Sequence, residues 1–486
     1  MSDLTTPLPD DLEACFTLGC QRLAAADWPG AEAALRRALT LDPECGEVWA
    51  NLALVLEHAG QWAAAEQAHR RAVAALPEVA QVHFNLGALL YREKQLIAAE
   101  PVFRNGLALA PGSAAGWSGL GVVLAAARRD AAAETALRRA LELDPDYARA
   151  RFSLSYLLLR QGRLAEGWPA LAAREQFEPV PAPAALPRWQ GGDLHGQRLL
   201  IVCNVGHGDL IQFLRYVPLL RQRGATRVGV LAQPALLSVL QTLEGIDVLV
   251  PLGGHVEAAD WDCWTLPFDL PRWCATRLHS IPAAIPYLHA DPARCARWQP
   301  RLPGGRPRVG LVWRGNPSHE NDSERSLPGL ASLAPLSQVA GLAFVSLQHG
   351  ADAAAALAPP AGLSLTPLGG EFSDFADTAA VLAQLDLLIS VDTAVAHLAG
   401  ALGRPCWLLL PDYLTDWRWL ERRNDSPWYP GHRLFRQPRP GDWAEVIRQV
   451  RTALSDWLAS HVNCSASAEV CQFNLRVASA SRTNVG

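Results

Sequence analysis

Four prolines set the frame for the first third of this chain. Pro43, Pro77, Pro111 and Pro145 fall 34 residues apart, and their surroundings repeat with the same period. The position near the start of a first helix is Cys15, Trp49, His83 and Trp117, followed three residues later by Leu18, Leu52, Leu86 and Leu120. Small residues come next, at Gly19, Ala53, Gly87 and Gly121. A second helix carries Ala31, Ala65, Ala99 and Ala133, where two helices must approach closely, and then Ala38, Ala72, Gly106 and Ala140. An amphipathic helix pair of this size cannot bury its apolar face alone, so successive copies must stack into an α solenoid. The alternative, a generic alanine-rich bundle, does not account for four registers agreeing at so many positions. A degraded fifth unit at 147–173 keeps Leu154 and Gly162 and reads as a capping repeat.

A 34-residue helix pair is the tetratricopeptide period. Such an array presents a concave surface suited to a protein partner and has no chemistry of its own, so any reaction must be sought beyond it. The solenoid is expected over 12–177 and a proline-rich, semi-extended linker over 178–197. From residue 198 strands and helices alternate. A first α/β unit is expected over 198–290, with a strand at 198–205, a glycine-bearing turn Gly206-His207-Gly208-Asp209, and helical periodicity over 210–223. A second linker, 291–308, leads into a second α/β unit at 308–458. The small, polar and aperiodic residues 460–486 read as a disordered tail.

Two turns in the α/β part concentrate polar groups where a parallel sheet places its ligands, at the carboxyl ends of strands. In the second unit a buried strand over 386–391 is followed by Asp392 at the expected N-cap of a helix. Thr393 and His397 lie four apart on one face of that helix, and the next strand is expected over 406–410. A helix N-terminus there favours a phosphate; the plainer alternative makes Asp392 a cap and His397 a packed side chain. In the first unit Asp209 stands where the sheet opens. A carboxylate there accepts a proton from a substrate hydroxyl, or else simply caps the helix. The loop 314–326 carries Arg314, Asn316 and Arg325, and Gln348 ends another strand. These side chains suit a diphosphate clamp or a solvated loop. Trp417, Trp419 and Trp428 suit either sugar platforms or core.

Composition narrows the chemistry. Of 486 residues, Lys94 is the sole lysine, so an anion site must use arginine and catalytic lysine chemistry is excluded from the α/β part. A net charge of −5 leaves no electrostatic footprint for nucleic acid. Ten cysteines without a C-x-x-C pair form neither a zinc site nor a disulfide framework, and no metal site is expected. The acidic opening residues lead into no apolar run, and no 18-residue apolar stretch occurs, so neither a secretory leader nor a transmembrane segment is expected. The expected location is cytoplasmic.

Three motifs carry a family resemblance: GHGDLIQFLRY at 206–216, WRGNPSHENDSERSLP at 313–328 and ISVDTAVAHLAGALGRP at 389–405. Together with 416–431 and 434–443, they resemble tetratricopeptide-containing bacterial proteins whose C-terminal half is similar to heptosyltransferase-like (family 9) glycosyltransferases. The resemblance implies a GT-B fold of two Rossmann-like domains, the acceptor on the first and the nucleotide-sugar donor on the second, with inverting, metal-independent transfer. It implies Asp209 as general base, and Asp392, Thr393 and His397 at the donor phosphates. Gly206, Gly208, Arg314, Asn316, Arg325 and Gln348 complete the expected donor-binding set, the arginines standing in for the family's lysine. No cofactor is implied beyond the nucleotide-diphosphate sugar, which is itself a substrate. The acceptor is a glycan or a protein, the latter held by the repeats as in protein O-GlcNAc transferases by architectural analogy. Where members often carry an acidic residue this chain has Asn204, and His207 and Arg314 replace small residues. A non-catalytic repeat scaffold with a nucleotide-binding or degenerate GT-B half is the alternative.

Overall fold

The computed structural model describes residues 8–177, 180, 183 and 186–460. Part of the expected linker and nearly all of the expected tail lie outside the described residues. The chain forms two compact units. One comprises Met1–Leu158 with Pro169–Glu178, the other Leu159–Trp168 with Pro179–Gly486.

The first unit is built of helix pairs: α1 (Leu12–Ala24) with α2 (Trp28–Leu41), α3 (Gly46–His58) with α4 (Trp62–Ala75), α5 (Ala80–Arg92) with α6 (Leu96–Leu109), and α7 (Ala114–Ala126) with α8 (Asp130–Leu143). Two more helices, α9 (Ala148–Arg160) and α10 (Leu164–Leu171), follow and run on into residues of the second unit. The proline period has a hydrogen-bond counterpart. Trp49 Nε1 donates to the Pro43 carbonyl (2.7 Å), His83 Nε2 to Pro77 (2.8 Å) and Trp117 Nε1 to Pro111 (2.9 Å). Cys15 Sγ reaches Pro9 (3.1 Å), and Arg151 donates to Pro145. Each turn is thus latched by a side chain six residues on, whatever donor that position carries. The small residue in the first helix also has a measurable reason. A Cβ at Gly19 would stand 2.7 Å from Leu35, one at Gly87 2.8 Å from Phe103, and one at Gly121 2.7 Å from Leu137.

The second unit contains two parallel sheets. The first sheet is formed by β1 (Arg198–Val202), β2 (Arg227–Ala232), β3 (Val248–Pro251) and β4 (Cys263–Thr265), in the order β3-β2-β1-β4. Its helices are α11 (His207–Phe213), α12 (Val217–Gln222), α13 (Leu237–Leu240) and α14 (Asp269–Trp273). The single helix expected over 210–223 is therefore broken into α11, a 3-10 turn at Leu214–Tyr216, and α12. Pro218 has no N–H to continue the ladder, which accounts for the break. Likewise β1 ends at Val202 rather than 205, and the chain turns towards α11.

Next, α15 (Pro292–Trp298) occupies the expected second linker. The second sheet follows, from β5 (Arg308–Val312), β6 (Ala343–Ser346), β7 (Leu365–Pro367), β8 (Leu387–Val391), β9 (Cys406–Leu410) and β10 (His432–Arg436), in the order β10-β9-β8-β5-β6-β7. Its helices are α16 (Asp322–Arg325), α17 (Phe375–Leu382), α18 (Ala394–Ala401) and α19 (443–460). Val309, Leu311, Leu387, Ile389, Val391, Trp407 and Leu409 face into one buried cluster with Trp443, Val446 and Val450 of α19. Strands buried on both faces read as continuous apolar runs, which is why β8 and β9 stand out in the sequence.

The linker helix α15 is pinned to the second sheet's side. Arg294 grips both oxygens of Asp374, the N-cap of α17, at 2.6 and 2.9 Å. Trp298 Nε1 donates to Asp377 (3.0 Å), Arg297 pairs with the same carboxylate, and Arg301 pairs bidentately with Glu371 at 2.6 Å. Among the described residues no helix is long and apolar enough to cross a membrane.

Candidate active site

The starts of α11 and α18 meet face to face, both within the second unit. Gly208 makes the contact possible: a Cβ there would stand 2.7 Å from His397 Cδ2 and 3.4 Å from the Ala394 Cα. Asp209 and the Asp392-Thr393-His397 group, 183 residues apart in the chain, are therefore brought together.

Asp209 is the third residue of α11, and its Oδ2 accepts from the Gly206 N–H (3.1 Å). Its Oδ1 is paired with Arg418, whose Nε donates to Gln212 and whose Nη1 donates to Asp416 Oδ2 (2.9 Å). The guanidinium is nearly buried, 4.4 Å from the Trp417 ring centroid. Arg418 is a side chain at this site that reading the sequence does not single out. Its signal is an arginine set between Trp417 and Trp419 in an otherwise buried stretch, with an acid at Asp416.

Asp392 is not the N-cap. Thr393 holds that position in extended conformation, and no side chain caps α18; the Thr393 hydroxyl pairs instead with Ser390 Oγ at 3.2 Å. Asp392 lies one residue outside, where its Oδ2 accepts from Trp419 Nε1 (2.8 Å). Burial, and then the charge of Asp416, push its carboxyl up to about 6, against the Trp419 N–H and the charges of Arg325 and Arg418. His397 Nδ1 lies 3.0 Å from the Tyr429 hydroxyl, and its Nε2 lies 3.9 Å from Asp392 Oδ1. Burial, with Arg418, His432, Arg215 and Arg325 adding positive charge, holds His397 well below the usual histidine range, so the ring is neutral.

A pH effect follows from Asp392. Its folded value near 6 stands above the unfolded value of about 3.9, so between them the folded state holds a proton that the unfolded state lacks. Its favourable contribution is complete below about pH 4 and is lost as pH rises through 6. Asp392→Asn is therefore expected to gain on the parent between these pH values, on the order of 2 kcal/mol by pH 7.5. Urea midpoints at pH 4.5 and 7.5 check it; an advantage that does not grow with pH would contradict the burial of an ionisable group here.

The loop after β5 contributes unevenly. Arg325, largely buried, lies over Gly315, where a Cβ would come within 3.0 Å of its guanidinium and 2.6 Å of Asp322 Oδ1. It acts electrostatically on Asp392 and His397, and His319 feels both Arg325 and Asp209. Arg314 instead pairs with Asp352 (3.2 Å), and the exposed Asn316 accepts from Ser318 N within its own turn. The Gln348 amide is fully engaged. Its Oε1 accepts from Trp313 N and Arg314 N, both at 3.0 Å, and its Nε2 donates to the Arg314 and His349 carbonyls. It latches the loop rather than offering a free amide. At Asn204 the Oδ1 is buried without a hydrogen-bond partner. Trp417, Trp419 and Trp428 are core residues, each at most 1% exposed.

Residues 16–80, 59–114 and 119–181 match the family described as Tetratricopeptide repeat. The first unit is a tetratricopeptide array. Residues 342–408, from β6 into β9, match Glycosyltransferase family 9 (heptosyltransferase). That stretch contains Gln348, Asp392, Thr393 and His397, while Asp209 and Arg418 lie outside it. The chain combines tetratricopeptide repeats with an α/β part that is similar to this glycosyltransferase family over residues 342–408. It is 30% identical over 342 residues to protein FlbA of Caulobacter vibrioides, covering 64% of this chain and 55% of that one. The chain thus spans about half the length of this curated relative. Among solved structures, the chain is similar to MamA (20% identity, 33% of this chain and 93% of that chain, TM-score 0.30). It also aligns with TTC0263, a thermophilic TPR protein in Thermus thermophilus (25% identity, 35% and 93%, TM-score 0.31).

Proposed function

We propose that the α/β part transfers a sugar from a nucleotide-diphosphate sugar to an acceptor hydroxyl, and that the tetratricopeptide array holds a polypeptide acceptor. The observation that supports this reading is the meeting of the start of α11, which carries Asp209, with the uncapped start of α18, where Arg325 and Arg418 act on Asp392 and His397. The donor diphosphate lies at that helix start, against Thr393 and Arg325, where N–H groups and a guanidinium neutralise the leaving charge as a metal ion would elsewhere. Asp209 takes the acceptor proton, and one in-line displacement inverts the anomeric carbon. The C–O bond to the diphosphate breaks as the new glycosidic bond forms, and the departing nucleoside diphosphate keeps the electron pair.

One observation favours a second reading: the carboxylate that would act as base is already paired with Arg418. On that reading the α/β part binds a nucleotide without transferring it, and the repeats form a scaffold.

Nucleotide binding tests the site common to both. Calorimetry with UDP, GDP, ADP and dTDP and their hexose derivatives is expected to find one base that binds the whole protein, with affinity about tenfold weaker in Arg325→Ala. If no nucleotide binds the folded protein at millimolar concentration, both readings of the α/β part fail.

A further inference from the structure

Two consecutive side chains of one short turn reach Asp392 and Asp209. The turn is the 3-10 turn Trp417–Trp419, which follows β9 of the second sheet. Its Trp419 Nε1 donates to Asp392 Oδ2 (2.8 Å), while its Arg418 pairs with Asp209 Oδ1 on α11, a helix of the first sheet. The backbone of the turn is fixed. Asp416 Oδ1 accepts from Arg418 N (2.9 Å), Arg436 Nη2 donates to the Trp419 carbonyl (2.6 Å), and Leu420 closes the turn in the left-handed region at φ 53°. The guanidinium is fully engaged as well. Each of its three nitrogens has an acceptor: Gln212 for Nε, Asp416 Oδ2 for Nη1 (2.9 Å) and Asp209 Oδ1 for Nη2. The ring centroids of Trp417, Phe213 and Phe268 lie 4.4, 5.6 and 5.6 Å from its central carbon. Asp209 is placed differently. Its side chain is 26% exposed against 6% for Arg418, and a carboxylate offers about four acceptor sites, of which Arg418 and the Gly206 N–H take two.

We infer that Arg418 is a positioning residue for the transfer step: held in turn by Asp416 and Gln212, it fixes the Asp209 carboxylate and touches neither donor nor acceptor. The inference rests on the transfer reading above and gives the Arg418 pair a part in it. A base must lie within hydrogen-bond reach of the acceptor hydroxyl, and a small displacement of it costs rate steeply. A guanidinium that stops the carboxylate from turning therefore contributes to the chemical step and not to donor binding. The lone pairs that the two bonds leave free are on the more exposed partner, so the pair holds Asp209 without closing it to a substrate. The donor phosphates fall to Thr393, the start of α18 and Arg325, and Arg418 has no free nitrogen to offer them.

Substitutions at both ends of the pair test this in the full chain. Arg418→Lys keeps the charge but replaces a planar fork with a single ammonium. It is expected to lower kcat about tenfold and leave the affinity for the nucleotide sugar within about threefold; Arg418→Met is expected to lower kcat about 10²-fold. In the Asp209→Asn background there is no base left to hold, and there either substitution is expected to lower the residual transfer less than about threefold. Losses that multiply instead, or a donor affinity about tenfold weaker in Arg418→Lys, show a side chain acting on the donor itself and overturn the inference. A second arm needs no ligand. Urea midpoints of the parent, Asp209→Asn, Arg418→Met and the double variant are expected to be non-additive, with the double variant losing less than the two single losses together. Additive losses mean that no pair holds Asp209 and overturn the inference, whether or not the protein is an enzyme. Where Arg418→Met does not fold, Arg418→Lys takes its place in both arms. A parent that binds donor and never transfers it ends the transfer reading and the positioning role with it, while the midpoints still decide whether the pair exists.

Discussion

Asp209→Asn is expected to lower sugar transfer by about 10²- to 10⁴-fold while leaving donor affinity within about threefold. The amide keeps the shape of the side chain and can still accept from the Gly206 N–H, so α11 should form as before. What it loses is the ability to take a proton, and the charge that Arg418 faces. Arg418 is held by Asp416 and Gln212 too, so the guanidinium stays in place in the variant. A stopped assay with the nucleotide sugar identified by calorimetry gives kcat, and the same calorimetry gives Kd. If transfer is unchanged in Asp209→Asn, the Arg418 pair is the whole role of this carboxylate, and the base must be sought elsewhere. If the parent binds donor but neither transfers nor hydrolyses it with any acceptor class, the scaffold reading stands.

Asp377→Ala is expected to destabilise the α/β unit by about 3–5 kcal/mol, the usual cost of breaking a buried ion pair from one side. Its side chain is 1% exposed and collects donors from three directions: Ser373 N (3.0 Å) and Oγ (2.6 Å), Trp298 Nε1 (3.0 Å), and Arg294 and Arg297. Burial alone would raise its pKa, but the hydrogen bonds from Ser373, Trp298 and Arg294 overcome that and hold the carboxyl below its ordinary range. The sign follows. A group depressed on folding stabilises above its unfolded value, about 3.9, and that contribution is lost as pH falls through the folded value. The difference between parent and variant should therefore be full at pH 7 and shrink only in strong acid. Denaturant unfolding at pH 7 and pH 3 measures it; a difference under about 1 kcal/mol at pH 7 would mean that the strap formed by α15 adds little.

The repeats and the central strand-turn-helix are legible from sequence because each is a local pattern. The 34-residue period needs no knowledge of contacts, and the apolar run at 406–410 coincides with β9 residue for residue. Asp392 reads as a cap because Asp precedes the helix and favours caps, yet burial beside Trp419 and Arg418 draws its side chain elsewhere. That environment is tertiary and leaves no mark in the local sequence. Arg418 escapes for the same reason: its partner Asp209 lies 209 residues away, and the segment around it has no helical or strand period. The loop arginines are equivalent on paper. Only the fold separates Arg325, over Gly315 and near Asp392, from Arg314, turned to Asp352.

The latches of the repeat array also bear on how such a chain can change over generations. Each spans six residues and is satisfied inside one period, by a thiol, an indole, an imidazole or a guanidinium as the position happens to offer. A duplicated or deleted block of 34 residues carries its own fastening with it and leaves no mismatched seam. The length of the array is therefore free to drift in whole steps, and a partner's footprint can grow or shrink without any redesign of the turns.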